Sequence, residues 1–334
     1  RLLVLDREAQ EPLYQLLEKA IRTNITSGKC PQGFQLPTYR QIAENTGVSM
    51  ITVQQAIDNL VGQNFLYRRQ GQGTFVATQE SKTGSNRIGL FLPNLREPFF
   101  SCLAQVVQTE VINDGYTVSI FSYDDGVNLV KRAVDIMMEQ NVDAFITTPS
   151  SNPEALASVL AVRERGVPVL VVDGHLESND VTSIECDNRQ GMAMILDHLY
   201  ELGHRRIGFA SGQCYTFGLR SRMEAFSEVL PERGLELNPS YLQISHLDRD
   251  EGGWDAAHKL LMLREPPTAI ACSTDIVAAG VLRAAKSMNI NVPEDISIVG
   301  YDDMYLAAHL EVPLTTVRQP VEKIAKMAIK KLLA

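Results

Sequence analysis

The sequence predicts an α/β protein in which a short helix-rich head is joined to a larger body built on parallel sheets. Residues 1–77 carry helical apolar spacing and one short hairpin pattern. Residues 78–86 are nine polar or small residues without an apolar anchor, which is typical of a linker. Residues 87–334 repeat an apolar strand, a polar loop and an amphipathic helix. A chain of 334 residues exceeds one ordinary core, so a division into separate units is expected.

The head contains a helix-turn-helix pattern. Thr38 can cap a helix that runs to about Thr46, Gly47 provides a tight turn, and Ser49 can cap the next helix. The buried face of that next helix is predicted by four apolar residues, Val53, Ala56, Ile57 and Leu60.

Further patterns flank this motif. An earlier helix is predicted to begin after Pro12 and to end at Gly28, because apolar residues recur there at helical spacing. Residues 65–69 and 74–77 predict two strands of a β-hairpin around a glycine-rich tip.

The body predicts nine strands, most of them separated by helices. Continuous apolar strands that alternate with helices indicate parallel sheets covered on both faces, and nine strands suit two sheets better than one. The predicted strands are 87–92, 117–122, 144–147, 168–172, 183–186, 206–210, 241–244, 269–273 and 296–301.

Charge is unevenly distributed along the chain, whose formal net charge is −9. Residues 1–78 hold eight Lys or Arg and six Asp or Glu, whereas the remainder holds 23 and 34. A slightly basic head on an acidic body argues against a protein that binds nucleic acid over its whole surface.

Several classes of protein and site are disfavoured. The five cysteines never lie closer than 28 residues apart, which predicts buried or unreactive thiols in a reducing compartment. His204 has no second ligand at metal spacing, and no cofactor or catalytic fingerprint lies at a strand-to-helix turn, so we expect no metal, no cofactor and no enzyme. No apolar run approaches the roughly 18 residues that a membrane span needs. Because residues 1–10 also lack the apolar core of a secretory signal, we expect a cytoplasmic protein without membrane contact.

The head resembles the GntR-type winged helix-turn-helix over nearly all of residues 12–76. The resemblance rests on PLYQLLEKAI, SGKCPQGFQLPTYRQIA, GVSMITVQQAIDNL and FLYRRQGQGTFV in that order. It implies a dimer on a near-palindromic, double-stranded operator, with the third helix in the major groove. An Arg of the second helix and the tip of the wing would hold the DNA backbone. The matching positions are Arg40, Ser49, Met50, Thr52, Gln54, Gln70, Gly71 and Gln72.

The third helix departs from the family by lacking positive charge. Members of the family usually carry Arg where this chain has Met50 and Gln54, and often where it has Gln72. Phosphate contacts supply affinity and base edges supply sequence information, so the two tasks can be divided. We expect the grip on phosphates to come from positive residues outside the third helix, namely Lys29, Arg40, Arg68 and Arg69.

Uncharged side chains remain to read the bases. Inward placement of the apolar stripe leaves Ile51, Gln54, Gln55 and Asp58 facing outward. Because Gln pairs with adenine and apolar groups touch the thymine methyl, the sequence predicts A·T-rich readout. The alternative is that these residues form only a solvated helix face. The predicted DNA contacts are Arg40, Ser49, Met50, Ile51, Thr52, Gln54, Gln55, Arg68, Arg69, Gln70, Gly71 and Gln72.

The body is similar to the effector domain of LacI-type repressors, and hence to periplasmic sugar-binding proteins, from Arg87 to the end. The resemblance rests on IGLFLPNLREPFF, VDAFITTP, GVPVLVVD, HLYELGHRRIGFASG, RSRMEAF, CSTDIVAAGVLRAAKSMNINVPEDISIVGYDDM and PLTTVRQP. It implies two subdomains, about 87–186 plus 318–334 and about 187–317, with a small effector in the cleft between them. That effector is most often a sugar. The matching positions are Phe99, Phe100, Asp173, Arg222, Trp254, Thr274, Asp275 and Asp302, with Thr274 in place of the usual Asn.

Six of these positions also have a structural interpretation. Core packing explains Trp254 equally well. For Arg222 the alternative is a surface salt bridge with Glu224 or Glu228, but the family motif favours a ligand contact. Phe99 and Phe100 follow Pro98 and can fix a helix start, so we expect only one of them to contact the ligand. Likewise, Asp275 can cap a helix and Asp302 can occupy a solvated turn.

A GntR-type head on a LacI-type body is the arrangement found in the arabinose repressors of Gram-positive bacteria. This resemblance implies a homodimeric transcription regulator, most often a repressor, whose effector changes the spacing or order of the two heads. The effector would be a small molecule, by kinship a monosaccharide. The alternatives are a periplasmic-type sugar carrier, an enzyme on the α/β body, an activator, or a regulator of a non-sugar effector such as a nucleobase.

Overall fold

The chain forms two compact units in the computed structural model, with the boundary between residues 84 and 85. The structure describes residues 12–26, 29–62, 65–69, 71–77, 85–122, 127–149, 153–175, 181–214, 216–247 and 249–333. Most of the predicted linker, the wing-tip residue Gln70 and the predicted helix end at Gly28 lie outside these residues.

The first unit is a helical head with an antiparallel hairpin. Its core holds Leu17, Ile21 and Ile42 together with the four residues that the sequence predicts for the third helix, and those four are fully buried. The predicted buried face of that helix is therefore confirmed. The elements are α1 (Leu13–Thr26), α2 (Tyr39–Thr46), α3 (Met50–Gly62), β1 (Leu66–Arg69) and β2 (Gly73–Val76).

Caps on α2 and α3 define the turn between them. Thr38 and Gln41 form a capping box at the start of α2, with side chain and backbone bonded reciprocally. Gly47 ends α2 in the left-handed region at φ 69°, which glycine adopts without steric cost. Ser49 Oγ accepts a hydrogen bond from the Thr52 amide at 3.1 Å, so α3 also begins with a side-chain cap.

The first sheet of the body is parallel and five-stranded. Its strand order is β4-β3-β5-β6-β7. We call this sheet with its four flanking helices the first lobe. The strands are β3 (Arg87–Leu92), β4 (Thr117–Ser122), β5 (Ala144–Thr147), β6 (Val169–Val172) and β7 (Thr182–Ile184), and the helices are α4 (Pro98–Ile112), α5 (Val127–Glu139), α6 (Pro153–Glu164) and α11 (Val321–Leu332).

The second sheet is also parallel and five-stranded, with order β12-β11-β10-β8-β9. Together with α7 to α10 it forms the second lobe. The strands are β8 (Ile207–Ser211), β9 (Leu242–Ile244), β10 (Ala269–Cys272), β11 (Ser297–Asp302) and β12 (Thr315–Arg318), and the helices are α7 (Asn188–Glu201), α8 (Phe217–Glu232), α9 (Arg249–Leu261) and α10 (Asp275–Ser287). Short 3₁₀ helices occupy Pro239–Tyr241 and Tyr305–Ala308.

All nine strands predicted for the body are present, with ends that differ by at most two residues. The sequence analysis missed β12, because this four-residue edge strand alternates only weakly and none of its residues is fully buried. After β12 the chain returns to the first lobe, where α11 packs Ile324 and Ala328 against Leu103 and Val107 of α4. Among the described residues no helix is long and apolar enough to cross a membrane.

Two glycines allow the lobes to touch. A Cβ atom on Gly218 of α8 would lie 2.7 Å from Asp173 Oδ1, which follows β6 in the other lobe. A Cβ on Gly174 would lie 2.9 Å from the Phe217 Cβ. Since real Cβ atoms do not approach so closely, glycine at both positions permits this contact.

Candidate effector and DNA-binding sites

A cavity lies between the two lobes, where strand ends of both sheets meet. Its wall includes Asp173 after β6, Ser273 and Thr274 after β10, and Asp302 at the end of β11. The space between protein atoms is about 460 Å³, including the part open to solvent. In open α/β folds ligands bind outside the carboxyl ends of the strands, which is where this cavity lies.

Arg222 anchors the cavity from α8. Its Nη1 donates to the Ser273 carbonyl at 2.7 Å and to Asp302 Oδ1 at 3.1 Å, and its Nε donates to Asn188 Oδ1 at 3.1 Å. The guanidinium also lies 4.0 Å from the centre of the Tyr301 ring. Because Arg222 is almost fully buried, the alternative of a surface salt bridge is wrong. Its Nη2 has no hydrogen-bond partner among the described residues and so remains a donor for a ligand.

Asp302 and Gln319 extend this polar network. Gln319 Nε2 donates to Asp302 Oδ1 at 2.7 Å, so that one carboxylate oxygen accepts from both Gln319 and Arg222. Gln319 Oε1 is buried without a partner among the described residues. Asp302 is thus a buried, paired residue rather than part of a solvated turn.

Asp173 faces the same cavity from the first lobe. Its Oδ1 is buried and has no hydrogen-bond partner in the described part of the chain. A buried acceptor without a partner costs free energy, since it loses its hydrogen bonds to water. Asp173 Oδ1 and Gln319 Oε1 are therefore two buried acceptors without partners, on side chains that line the cavity.

Burial raises the pKa values of both aspartates at the cavity. Burial raises the pKa of Asp173 to about 6, against the opposing effect of Arg222. Burial likewise raises the pKa of Asp302 to about 6, against Arg222 and the hydrogen bond from Gln319. A ligand that donates hydrogen bonds to these carboxylates would favour their charged forms.

Aromatic side chains provide the apolar wall. Phe99 and Phe100 both line the cavity from the first turn of α4 and meet edge to face at 5.2 Å between ring centres. Both rings are therefore placed to meet a ligand, and the expectation that only one of them contacts it stays a prediction. Pro98 at the first position of α4 fixes the helix start, which brings both rings to the cavity.

Thr274 and Asp275 differ in their placement. Thr274 lines the cavity, but its hydroxyl also caps α10 by accepting from the Val277 amide at 3.2 Å. Asp275 does not line the cavity, because its two oxygens accept from Thr316 Oγ1 at 2.6 Å and from the Met304 amide at 2.8 Å. We therefore correct the assignment of Asp275 as an effector contact. Its hydrogen bonds instead connect α10 to β12 and to the segment that follows β11.

Trp254 lies outside the cavity. It belongs to a separate surface pocket, where the Arg283 guanidinium lies 5.1 Å from its ring centre. The adjacent Gly253 faces α10 so closely that a Cβ would lie 2.1 Å from the Val277 carbonyl oxygen. The ring of Trp254 is partly buried and packs against the apolar cluster formed by α9 and α10, as the core-packing alternative expects. We therefore correct its assignment as an effector contact.

Sequence reasoning missed several residues of the cavity wall. Most of them begin a helix or follow a strand, and only that position pointed to them. Gln319 follows β12, the strand that the sequence analysis did not detect. These residues are Glu97, Gly212, Gln213, Thr216, Leu219, Arg249, Ser273, Val277 and Gln319.

Backbone strain is concentrated around the cavity. Asp173, Arg249 and Asp302 have φ values of 55°, 49° and 115°, in a region that L residues rarely adopt. Such strain persists where the surrounding structure enforces it and often marks functional sites.

The residues of α3 that the sequence predicts to contact DNA lie on its outward face. Its outward residues Met50, Ile51, Gln54, Gln55 and Asp58 are exposed, with Ile51 at 78%. Ser49 and Thr52 bind each other through their hydroxyls at 2.8 Å, so both predicted contacts are engaged at the helix start. The head thus presents an exposed helix face without positive charge.

The positive residues of the head have different partners. Arg40 forms an ion pair with Glu44 at 3.0 Å, and both side chains are largely exposed. Arg68 on β1 is paired with Asp58 of α3. Arg69 lies 5.5 Å from the centre of the Tyr67 ring, and no carboxylate partner is found for it among the described residues.

The turn of the hairpin is braced by a residue that the sequence analysis did not select. Gln35 Nε2 donates to the Gln72 carbonyl at 2.7 Å. Gly71 and Gly73 adopt φ values of 73° and 115°, which the tight tip requires. In the described part of the chain no group of three or more His, Cys, Asp or Glu is placed to hold a metal ion.

Comparisons with known proteins agree with this two-unit architecture. The family of bacterial regulatory proteins named gntR matches residues 13–76, and the family described as periplasmic binding protein-like domain matches residues 196–334. An HTH-type transcriptional regulator of Streptomyces limosus is 31% identical over 310 residues, which cover 91% of this chain and 87% of that protein. The chain belongs to the bacterial helix-turn-helix transcriptional regulators.

Further relatives of this regulator are repressors. The arabinose metabolism transcriptional repressor of Halalkalibacterium halodurans is 28% identical over 337 residues, covering 97% of this chain and 89% of that protein. A crystal structure of a LacI family regulator from Lactobacillus casei with bound glucose is 28% identical. It covers 74% of this chain and 92% of that chain with a TM-score of 0.65. The regulator is a transcriptional repressor with a GntR-type DNA-binding head and a LacI-type effector domain.

Proposed function

We propose that this repressor binds a monosaccharide in the cavity between its lobes and that the bound sugar weakens its grip on operator DNA. The observation that carries the proposal is the pair of buried acceptors, Asp173 Oδ1 and Gln319 Oε1, which lack partners among the described residues and belong to side chains that line one cavity. Sugar hydroxyls are donors that would satisfy them.

The remaining wall suits the other features of a sugar. Arg222 Nη2 is a charged donor for a hydroxyl oxygen, and charge-assisted hydrogen bonds are the stronger kind. Phe99 and Phe100 offer apolar surface to the C–H faces of a ring. The glucose bound by the Lactobacillus casei regulator and the name of the arabinose repressor support the same class of ligand.

A thermal-shift screen against monosaccharides and nucleobases tests the effector. A ligand that binds only the native state raises the apparent stability by mass action, about 2.7 kcal/mol at a hundredfold excess over Kd. We expect a shift with one or a few monosaccharides. A shift with nucleobases alone would reject the monosaccharide in favour of a non-sugar effector.

Two variants test whether the sugar binds in the cavity between the lobes. Asp173→Asn keeps the shape of the side chain and removes the carboxylate, so it should reduce the sugar-induced shift. The matched control is Asp135→Asn, because Asp135 lies on α5, half exposed in a pair with Arg165 and outside the cavity. Equal shifts in both variants would place the sugar elsewhere.

On the DNA side, we propose that a homodimer places two α3 helices in successive major grooves of a near-palindromic operator. A single head offers few unpaired positive charges, because Arg68 is engaged by Asp58 and the head carries only a small positive excess. Two linked heads would supply the affinity that one lacks. The exposed Ile51 and Gln54 support readout of A·T pairs. We infer from the DNA target that the repressor acts in the cytoplasm.

A further inference from the structure

The one charged residue of α3 forms an ion pair with another residue of the head. Asp58 is the one charged residue of α3, and its Oδ1 accepts a hydrogen bond from Arg68 Nη2. Arg68 lies on β1, ten residues further along the chain, and both side chains are close to half exposed. The pair therefore joins α3 to the β1–β2 hairpin, which is the wing, on the surface that would face DNA.

Helix α2 also contacts this ion pair, through Tyr39. The Tyr39 hydroxyl, on the first residue of α2, accepts from Arg68 Nε at 3.1 Å and from Arg68 Nη2 at 2.8 Å. Three hydrogen bonds thus hold one guanidinium in a fixed orientation. The hydrogen bond with Asp58 and then that with Tyr39 raise the pKa of Arg68, as expected for a cation that is well satisfied.

Arg40 and Arg69 lack such restraint. Arg40 pairs with Glu44 four residues away, and their side chains are 84% and 63% exposed. Such exposed pairs contribute little, so a DNA phosphate can replace Glu44 at small cost. Arg69 rests over the rings of Tyr67 and Phe75, at 5.5 and 5.6 Å from their centres, which leaves its N–H groups available for phosphate.

We propose that Asp58 is a specificity-determining residue that withholds Arg68 from DNA phosphates, so that operator binding depends on base reading rather than on charge. This inference rests on the DNA-binding role of the head. A phosphate contact from Arg68 would strengthen binding to any sequence equally, because phosphates carry no sequence information. Neutralising that charge lowers non-specific affinity and leaves the contacts of Gln54 and Ile51 to discriminate.

The test is the salt dependence of DNA binding by the full chain. The probes are the duplex enriched by the unsubstituted protein from random DNA and a scrambled duplex of equal length. In Asp58→Asn, release of Arg68 adds about one phosphate contact per head, so the slope of log K against log salt should steepen by about 0.9 for each head bound. Affinity for scrambled DNA should rise, with an additional loss of about threefold per head between 50 and 200 mM salt.

A double substitution separates the release of Arg68 from the mere loss of a negative charge. Arg68→Gln in the Asp58→Asn background should return the slope to that of the unsubstituted protein. A steeper slope that persists in the double variant would overturn the proposal, since repulsion by Asp58 would then explain the effect. Glu44→Gln is the matched control because it removes one exposed carboxylate of the same head. A change equal to that of Asp58→Asn would likewise overturn it.

A second variant keeps the test valid if Asp58→Asn does not fold. Arg68→Gln by itself removes the cation that Asp58 withholds and leaves Asp58 in place. Because Arg68 makes no phosphate contact in the unsubstituted protein, the salt slope should stay unchanged, and a shallower slope would overturn the proposal. Failure of the unsubstituted protein to enrich any duplex would instead count against operator binding itself.

Discussion

Arg222 and Asp302 form a buried ion pair, with 3.1 Å between Nη1 and Oδ1, at the wall of the cavity between the lobes. Removal of one partner from a buried pair leaves an uncompensated charge. We expect Arg222→Ala to lower the free energy of unfolding by about 3–5 kcal/mol, measured by urea denaturation of the full chain.

Its control is an arginine in an exposed pair. Arg189 contacts Glu232 at 2.5 Å while both side chains are about half exposed. Arg189→Ala should cost less than about 1 kcal/mol, because exposed ion pairs are weak. Similar losses in the two variants would mean that burial of the Arg222 pair has no energetic consequence.

The stability of the body should depend on pH through Asp275. Burial raises the pKa of Asp275 from 3.8 to about 7, so the folded state binds a proton more tightly than the unfolded state. The resulting stabilisation is fully present below about pH 4 and is lost as pH rises toward 7. The difference in free energy of unfolding between the unsubstituted protein and Asp275→Asn should therefore fall across this window, by about 1.4 kcal/mol per pH unit at most. A constant difference would show that the Asp275 pKa is not raised.

The contact between lobes predicts an effect of a single methyl group. In Gly218→Ala the added Cβ would lie 2.7 Å from Asp173 Oδ1, so the lobes must move apart or Asp173 must shift. We expect weaker effector binding by about 1–3 kcal/mol, the usual cost of overpacking, measured by calorimetry. The control is Gly62→Ala in α3, where no neighbouring atom lies within 4 Å of the added Cβ. Unchanged effector affinity in Gly218→Ala would argue that the lobes do not need this approach.

Base reading by α3 predicts a selective loss. Gln54→Ala should weaken operator binding by about 1–3 kcal/mol and leave binding to scrambled DNA nearly unchanged, because a bidentate contact to adenine discriminates by that amount. Binding to both duplexes is measured at one salt concentration. Equal losses on the two would support the alternative of a solvated helix face.

Coupling between the two sites must be reciprocal. If the effector weakens operator binding by a given factor, saturating operator DNA should weaken effector binding by the same factor. Calorimetric titration of the effector with and without the enriched duplex measures this. Identical affinities in both titrations would exclude the proposed mechanism of release.

Much of the fold could be predicted from the sequence because helices and strands have different local periods. The buried face of α3, the nine strands detected and the caps at Thr38 and Ser49 depend on residues close together in the chain. The strand β12 escaped because it is a short edge strand whose residues are only partly buried.

The site was predicted less completely, for a related reason. Asp173, Arg222 and Asp302 were selected from motifs, and the structure brings them to one cavity. Whether a given side chain faces that cavity depends on how neighbouring helices pack. Trp254 packs against the apolar cluster of α9 and α10, and both carboxylate oxygens of Asp275 accept hydrogen bonds from Thr316 and Met304.

The sequence by itself determined the two units, the alternation of strands and helices, and the absence of positive charge on α3. Only the tertiary structure decided which polar groups are left without partners and which charges cancel. Asp58 and Arg68 meet because α3 and β1 fold against each other, and Asp302 accepts from Gln319 because the chain returns beside β11. Periodicity is a property of neighbouring residues, whereas hydrogen bonds and ion pairs depend on distances between residues far apart in sequence.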